Sequence, residues 1–329
     1  MPAPRIRELH QPSGRSAYGL ALAMTTVALW SILPIGLKLV LEVVDSMTLS
    51  WIRFTCAALI LGAILRARGT MPPIHLLDRH HWWLMGLAAI GLAGNYAFYA
   101  LGLHHTNAGT SQVVIQIAPM LLTVGGIFVF GESFVVVQWI GLAVLVGGLA
   151  VFSSDQISHL VSGFDRYYAG LGYILIAAVT WAFYGMAQKQ LLGRLGSPQI
   201  MLCLYVAGAL MLAPLSAPSA LLAMNGAQIA ALVFCTVNML LSYATFSEAL
   251  AHVEASRVSA VIATVPLGTL VAIQVTSTIA PSVFAAEPIS NTGIAGAVLV
   301  VGGSLMTSLG KTRRTPEEEE TLAIPEFNE

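Results

Sequence analysis

Residues 18–41 read YGLALAMTTVALWSILPIGLKLVL, an apolar run whose one charged residue is Lys38. A helix needs about 20 predominantly apolar residues to cross the ~30 Å hydrocarbon core of a bilayer. The run exceeds the apolar core of about 7–15 residues that a signal peptide has, and no convincing cleavage site follows it. We therefore predict that this stretch is a membrane-spanning helix retained in the mature protein.

Nine further windows of comparable hydropathy follow along the chain. They lie near residues 47–65, 83–103, 108–130, 135–152, 170–189, 198–217, 228–250, 257–280 and 291–310. The chain of 329 residues is 57% hydrophobic and only 9% charged, whereas soluble domains carry about 25% charged residues. The sequence therefore predicts an all-α membrane protein with ten transmembrane helices.

The basic residues between the windows favour one orientation. If the N-terminus is cytoplasmic, twelve Lys and Arg residues fall in cytoplasmic segments, and only Arg166 falls on the opposite side. Cytoplasmic loops of membrane proteins carry an excess of Lys and Arg. We therefore expect both termini to be cytoplasmic and the protein to lie in the cytoplasmic membrane.

The second half of the chain repeats the first. Gly and Ala matches are common in so apolar a chain, but Trp, Lys, Pro and Glu matches in the same order are not. Gly19, Trp30 and Lys38 recur 151 positions later as Gly170, Trp181 and Lys189; Tyr96, Leu103, Ala108 and Pro119 recur 147 positions later as Tyr243, Leu250, Ala255 and Pro266; Glu132, Gly141, Gly147 and Gly148 recur 155 positions later as Glu287, Gly296, Gly302 and Gly303.

The repeat divides the chain into two five-helix units, at 17–152 and 170–310. A cytoplasmic segment at 1–16, an extracytoplasmic linker at 153–169 and a disordered acidic tail at 311–329 complete the predicted organisation. Because five is odd, the second unit must cross the membrane in the opposite sense. Inverted repeats around a substrate site at the membrane midplane are typical of secondary transporters; the alternative is a duplication that serves only assembly.

Several motifs resemble the EamA-type transporters of the drug/metabolite transporter superfamily. They are Ala28-Leu29-Trp30-Ser31 with Lys38 downstream, Arg53-Phe54, Gly102-Leu103 and Ala249-Leu250, and Pro119 followed by Gly131-Glu132 and Gly141. The second half departs from the family pattern at Ala286, at Glu248 and in the longer interval from Pro266 to Glu287. The resemblance implies a ten-span exporter or importer of metabolites such as amino acids, which acts as a monomer or a homodimer.

Polar and aromatic residues gather near the expected midplane. A polar amide in hydrocarbon must find a partner, so these residues are expected to face inward, and amides beside aromatic walls suit a small, neutral or zwitterionic ligand. Hydrogen bonding between helices is the alternative role. The candidate substrate-binding residues are Trp30, Asn95, Tyr96, Tyr99, Gln112, Gln116, Trp181, Tyr184, Asn238, Tyr243 and Thr264. Pro119 and Pro266 are expected to kink their spans.

Three ionisable residues fall within spans, where a charge costs about 2.5–3.5 kcal/mol. Lys38 and Arg53 are expected to form a cationic mouth for carboxylated substrates, unless they snorkel to headgroups or pair with Glu42 and Asp45. Glu248 is a candidate for proton coupling; its alternative is an ion pair with Arg257 or Lys189.

Other classes of function find less support. The sequence has no His-Glu-x-x-His motif and no Cys-x-x-Cys pair, so we predict no enzymatic activity, no metal and no cofactor. Without a basic stripe, a nucleic-acid partner is not expected. The predicted function is secondary active transport of a small metabolite such as an amino acid, with export as the direction, and the expected partners are that substrate and membrane lipid. A channel or a non-transporting membrane protein is the alternative.

Overall fold

A computed structural model describes residues 13–130, 135–158, 164–279 and 290–309. These residues form α-helices and short 3-10 turns, with no strand among them. The predicted all-α class is therefore confirmed, as the hydrocarbon core requires of a chain that must satisfy its own backbone hydrogen bonds. Glu132, Glu287, residues 1–12 of the predicted N-terminal segment and the predicted acidic tail lie outside the described residues.

The helices divide evenly between the two halves. The first half contains α1 (Ser16–Leu41), α2 (Ser46–Ala67), α3 (Arg79–His105), α4 (Ala108–Val114), α5 (Ile117–Phe130) and α6 (Val136–Ser158). The second half contains α7 (Phe164–Leu191), α8 (Ser197–Leu212), α9 (Gly226–His252), α10 (Ala255–Ile262), α11 (Val265–Ile279) and α12 (Asn291–Leu309).

Seven helical segments in the described part of the chain are long and apolar enough to cross a membrane, and three apolar segments are shorter. If α4 with α5 and α10 with α11 each count as one span, the helices fit the predicted arrangement of two five-helix repeats. Helices α6 and α7 extend into the predicted linker, to Ser158 and from Phe164. Large apolar side chains such as Leu59, Leu210 and Val271 are exposed on the outer surface, as expected for a surface that contacts lipid.

Side-chain caps fix where several helices begin. A cap accepts a hydrogen bond from a backbone N–H that the first turn of a helix leaves without a partner. The capping residues are Asp45 for α2, Asp78 for α3, Asn107 for α4 and Asn225 for α9. These short polar residues define the turns that reverse the chain between successive spans.

Helices from opposite halves pack in pairs that run antiparallel. On α1, Gly19 contacts Val253 near the end of α9, whereas Gly36 contacts Phe234 in its first half. Gly170 on α7 contacts His105 and Thr106 on α3. Gly19 also contacts His252. In the sequence repeat, Gly170 corresponds to Gly19, and His105 and Thr106 occupy the positions equivalent to His252 and Val253. The two contacts are therefore repeat-related copies of each other.

The α6–α12 pair shows that the two repeats are inverted. A Cβ atom on Gly148 would lie 2.9 Å from the Gly296 carbonyl oxygen, and one on Gly303 would lie 2.6 Å from the Gly141 carbonyl oxygen. Residue numbers rise along α12 as they fall along α6, so these repeat-related helices are antiparallel. A two-fold axis that relates antiparallel helices lies perpendicular to them, which places it in the membrane plane. The predicted inversion is confirmed.

The glycine crossing of α6 and α12 generates a stability prediction. Gly148→Ala should lower the melting temperature, because its methyl group would meet the Val300 backbone nitrogen at 2.7 Å, and overpacking costs about 1–3 kcal/mol. Gly147→Ala is the matched control, since a Cβ there meets nothing within 4 Å. Thermal unfolding of the purified variants in detergent measures both. Equal melting temperatures would contradict the close crossing.

Candidate functional site

Two spans are interrupted at nearly equivalent places. Between α4 and α5, the backbone N–H of Gln116 donates to the carbonyl of Val113 at 3.1 Å, three residues back instead of four. Between α10 and α11, the N–H of Thr264 donates to Val261 at 3.1 Å in the same way. Such 3-10 segments within helices often mark hinges.

Pro119 and Pro266 differ in position from the predicted mid-helix kinks. Each lies in the first turn of the helix that follows a break, α5 or α11. A proline is tolerated there because the N–H groups of a first turn lack intrahelical partners in any case. The break therefore comes just before each proline, and each proline begins a new helix.

A cavity of ≈ 90 Å³ lies between the two halves, and both interrupted spans contribute to its wall. The remaining wall comes from α1, α2, α3, α7 and α9. The lining residues are Trp30, Leu33, Leu37, Arg53, Asn95, Tyr96, Tyr99, Ala100, Gln112, Ile115, Gln116, Ala118, Pro119, Trp181, Tyr243, Ile262 and Val265. Eight of the eleven candidate substrate-binding residues are among them.

Repeat-related aromatic rings meet in the wall of the cavity. The ring centroids of Trp30 and Trp181 are 5.8 Å apart, and those of Tyr96 and Tyr243 are 5.6 Å apart. Trp30 also contacts Tyr243 edge-on at 5.4 Å. Because each residue touches its own counterpart, the pseudo-two-fold axis passes between them. The axis that relates the two repeats therefore passes through the aromatic part of the cavity wall.

The polar side chains of the cavity wall come mainly from the first half. Asn95 donates its amide N–H to the Ala177 carbonyl at 3.0 Å, and Gln112 donates to the Trp30 carbonyl at 3.4 Å. The hydroxyl of Tyr99 and the amide oxygen of Gln116 are buried without a partner among the described residues. These two groups remain available to a polar ligand.

Arg53 lies in the cavity wall, beside the aromatic cluster. Its side chain is 3% exposed, its Nη2 donates to the Cys235 carbonyl at 3.2 Å, and its Cζ lies 4.8 Å from the ring centroid of Tyr96. Among the described residues it forms no ion pair, and Asp45, one of its expected partners, caps α2 by accepting from the N–H of Thr48 at 3.0 Å. Sequence reasoning placed Arg53 at a mouth instead of within the cavity, and Lys38 is half-buried on α1 without lining it.

Four other candidates also lie outside the cavity wall. The Tyr184 hydroxyl donates to Met201 Sδ at 3.5 Å, Asn238 donates to the Leu29 carbonyl at 2.7 Å, and Thr264 donates to the Val261 carbonyl at 2.7 Å. Glu248 pairs with His252 at 3.3 Å. Bonds within or between helices thus use the hydroxyl groups of Tyr184 and Thr264 and the amide N–H of Asn238, whose amide oxygen has no partner among the described residues.

The partner of Glu248 in the structure also differs from the partners expected from the sequence. Arg257 pairs with Glu254 at 3.3 Å, whereas Glu248 contacts a histidine one turn away on its own helix. Among the described residues, Glu248 therefore pairs with His252 in place of the expected Arg257. In both pairs the partners are three or four residues apart in the sequence, a spacing that places side chains on the same face of a helix.

The apolar part of the cavity wall was missed by sequence reasoning. Leu33 and Leu37 follow Trp30 at intervals of three and four residues, and Ala100 follows Tyr96 by four. Residues at these intervals share one helix face. The helical period, applied outward from the predicted aromatic residues, would therefore have found them.

An inverted repeat of apolar helices around a central cavity defines a polytopic membrane protein with the architecture of a transporter. The profile of the "EamA-like transporter family" matches residues 17–154 and 168–309, one match in each half. The chain belongs to the EamA-like transporter family, which confirms the resemblance drawn from its motifs.

Named relatives agree with this assignment. The chain is 34% identical over 297 residues to the "Uncharacterized inner membrane transporter YhbE" of Escherichia coli (strain K12), with 90% of this chain and 92% of that protein covered. It is 31% identical over 292 residues to an "Uncharacterized transporter" of Haemophilus influenzae, with 89% and 95% covered. A solved crystal structure has the same fold, with a TM-score of 0.66 at 19% identity, covering 89% of this chain and 97% of that one.

The cavity predicts a difference in thiol reactivity between two neighbouring positions on α3. Ala100 lines the cavity, whereas Ala97 packs in the apolar core. In a background with Cys56, Cys203 and Cys235 replaced by Ala, Ala100→Cys should react with a small, water-soluble methanethiosulfonate in detergent, and Ala97→Cys should react far more slowly. Both alanines are buried in the structure, so only access through the cavity separates them. Equal rates would argue against a water-accessible cavity.

Proposed function

We propose that this protein is a secondary active transporter that moves a small metabolite, an amino acid or a similar compound, across the cytoplasmic membrane by alternating access. One observation carries the proposal. The two inverted repeats meet at a cavity beside their shared axis, and an interrupted span from each repeat contributes to its wall. Broken helices at the interface of inverted repeats form the substrate sites of many transporters.

The pseudo-symmetry supports the mechanism. When two similar units are inverted, an exchange of their conformations converts an inward-open state into an outward-open state of nearly equal energy. The breaks before Pro119 and Pro266 supply two related hinges beside the cavity. Movement at these hinges would open the same cavity to one face of the membrane and then to the other.

Proton coupling through Glu248 has less structural support than the substrate cavity. Its carboxylate contacts His252 at 3.3 Å and does not line the cavity. The substrate site is complete within one chain, so the proposal holds for a monomer and for a homodimer. The distribution of Lys and Arg supports a topology with both termini in the cytoplasm.

Transport by cells that express the protein tests the proposal. Compared with cells that lack the protein, expressing cells should accumulate one or a few metabolites in the medium, and Trp30→Ala should abolish most of that excess because it removes the aromatic wall of the cavity. Trp83→Ala is the matched control, since Trp83 lies on the outer surface and is 64% exposed. Depletion of a metabolite from the medium would reverse the proposed direction, and no change in any metabolite would contradict transport.

Counterflow separates a carrier from a channel. In proteoliposomes, an exported metabolite preloaded inside at high concentration should accelerate the uptake of its labelled form, because a carrier returns its site to the outside faster when loaded. A channel, which needs no reorientation between binding events, should show saturation-free flux and no such acceleration. Flux of the second kind would favour the channel alternative.

A further inference from the structure

The charge of Arg53 is not balanced by any acidic side chain among the described residues. Only 3% of the Arg53 side chain is exposed, and an unpaired charge within a membrane protein is costly. A backbone carbonyl and the Tyr96 ring satisfy it in part, but its Nε has no partner among the described residues. A group that is retained at such a cost, in the wall of a cavity, indicates a partner that arrives from outside the protein.

No acidic side chain in the described part of the cavity wall can serve as that partner. Of the lining residues, Arg53 alone carries a formal charge, and the rest are aromatic, amide or aliphatic. The cavity therefore has a net charge of one positive unit when empty. A ligand with one negative charge would neutralise it, whereas a ligand with a net positive charge would be repelled.

The charge also breaks the symmetry between the repeats. At the 151-residue offset of the first span, Arg53 and Phe54 correspond to Leu204 and Tyr205. The ring centroids of Phe54 and Tyr205 lie 6.1 Å apart, so this repeat-related pair is also in contact. The second half thus places an aliphatic residue where the first half places a guanidinium group, and the cationic wall of the cavity is confined to one side.

We propose that Arg53 binds the carboxylate of the transported substrate, which makes the substrate class small monocarboxylates, with or without an amino group. This inference rests on the proposed transport function. A guanidinium group forms strong, paired hydrogen bonds with a carboxylate, and the unpartnered Tyr99 hydroxyl offers a further donor. A phosphate ester, with nearly two negative charges, would exceed the single charge that the cavity provides.

The rest of the cavity wall fits the remainder of such a molecule. Leu33, Leu37, Ile262 and Val265 form apolar surface for a short hydrocarbon body. The unpartnered amide oxygen of Gln116 accepts a hydrogen bond from a hydroxyl or ammonium group. The volume of ≈ 90 Å³ restricts the class to compact molecules.

Four compounds of nearly equal shape test the proposal on the purified full-length protein in detergent at pH 6. They are 3-methylbutanoate and valine, which carry a carboxylate, and the matching amides 3-methylbutanamide and valinamide. Tryptophan fluorescence, which Trp30 and Trp181 report from the cavity wall, gives the affinity of each. The wild-type protein should bind at least one acid more tightly than its own amide.

Variants of Arg53 assign that preference to its side chain. Arg53→Gln should weaken acid binding by at least about tenfold, the factor that the loss of a charge-assisted hydrogen bond implies. It should leave binding of the neutral 3-methylbutanamide nearly unchanged and should not weaken binding of valinamide, whose ammonium group Arg53 repels. Arg53→Lys should retain part of the preference, because it keeps the charge but loses the paired donors. Each variant serves as its own folding control, since the ratio of acid to amide affinity is compared within one preparation.

Several results would overturn the assignment. They are an equal or greater affinity for the amides, no binding of either acid, or an acid preference that survives in Arg53→Gln. Metabolite release from expressing cells separates this failure from failure of transport. Release of compounds that lack a carboxylate would overturn the assignment and leave transport standing, whereas acid binding without any release would support the site and contradict transport.

Discussion

The backbone of this protein has almost no freedom to depart from a helix, because hydrocarbon offers no partner for an exposed N–H or C=O group. Irregular backbone is tolerated at membrane depth only where protein or a cavity surrounds it. The two interruptions, before Pro119 and before Pro266, meet this condition since both border the central cavity. The constraint that imposes helices elsewhere therefore also determines where a hinge and a polar site are able to form, and it brings them together.

Close packing of small residues holds the inverted halves around that cavity. The crossing of α6 and α12 places Gly148 and Gly303 against the backbone of the opposite helix, and Gly91 brings α3 within contact of the α7 backbone at Thr180. In lipid there is little hydrophobic drive to associate helices, so close van der Waals packing contributes more. Such contacts tolerate no added methyl group, and the cavity keeps its shape because the surrounding helices are held closely.

Most features of the fold were predictable from the sequence, but fewer features of the candidate site were. Runs of apolar residues and repeated Trp, Lys and Pro predicted the helices and their inversion, because both follow from length and order along the chain. Pro119 and Pro266 predicted kinks in their spans, but the sequence did not predict that each helix ends just before its proline and a new one begins. Trp30, Trp181, Tyr96 and Tyr243, which were chosen for their depth near the membrane midplane, line the cavity.

The remaining site residues depended on information that one helix does not contain. Whether Asn238 faces a cavity or the neighbouring α1 backbone, as it does, depends on the rotation of α9 against its partners. The burial of Arg53 likewise depends on the helices that cover it. A residue two turns from the start of α2 is able to lie either at the mouth of a cavity or in its buried wall. Periodicity gives the relative faces of residues on one helix, but only packing decides which face meets the cavity.

The aromatic and the polar residues of the cavity wall have different roles in the proposed carrier mechanism. The rings that pair across the axis are nearly symmetric, as two interconverting states of similar energy require. The polar groups are not: Arg53, Tyr99 and Gln116 correspond, at the offsets of 151 and 147, to Leu204, Phe246 and Ala263. Two arginines at equivalent positions would bring like charges together in a medium of low dielectric constant, where their repulsion is strong. A charge near a two-fold axis is therefore best kept in one copy only. In the proposed mechanism, the divergence of the repeats at these positions would let a nearly symmetric protein bind an asymmetric molecule.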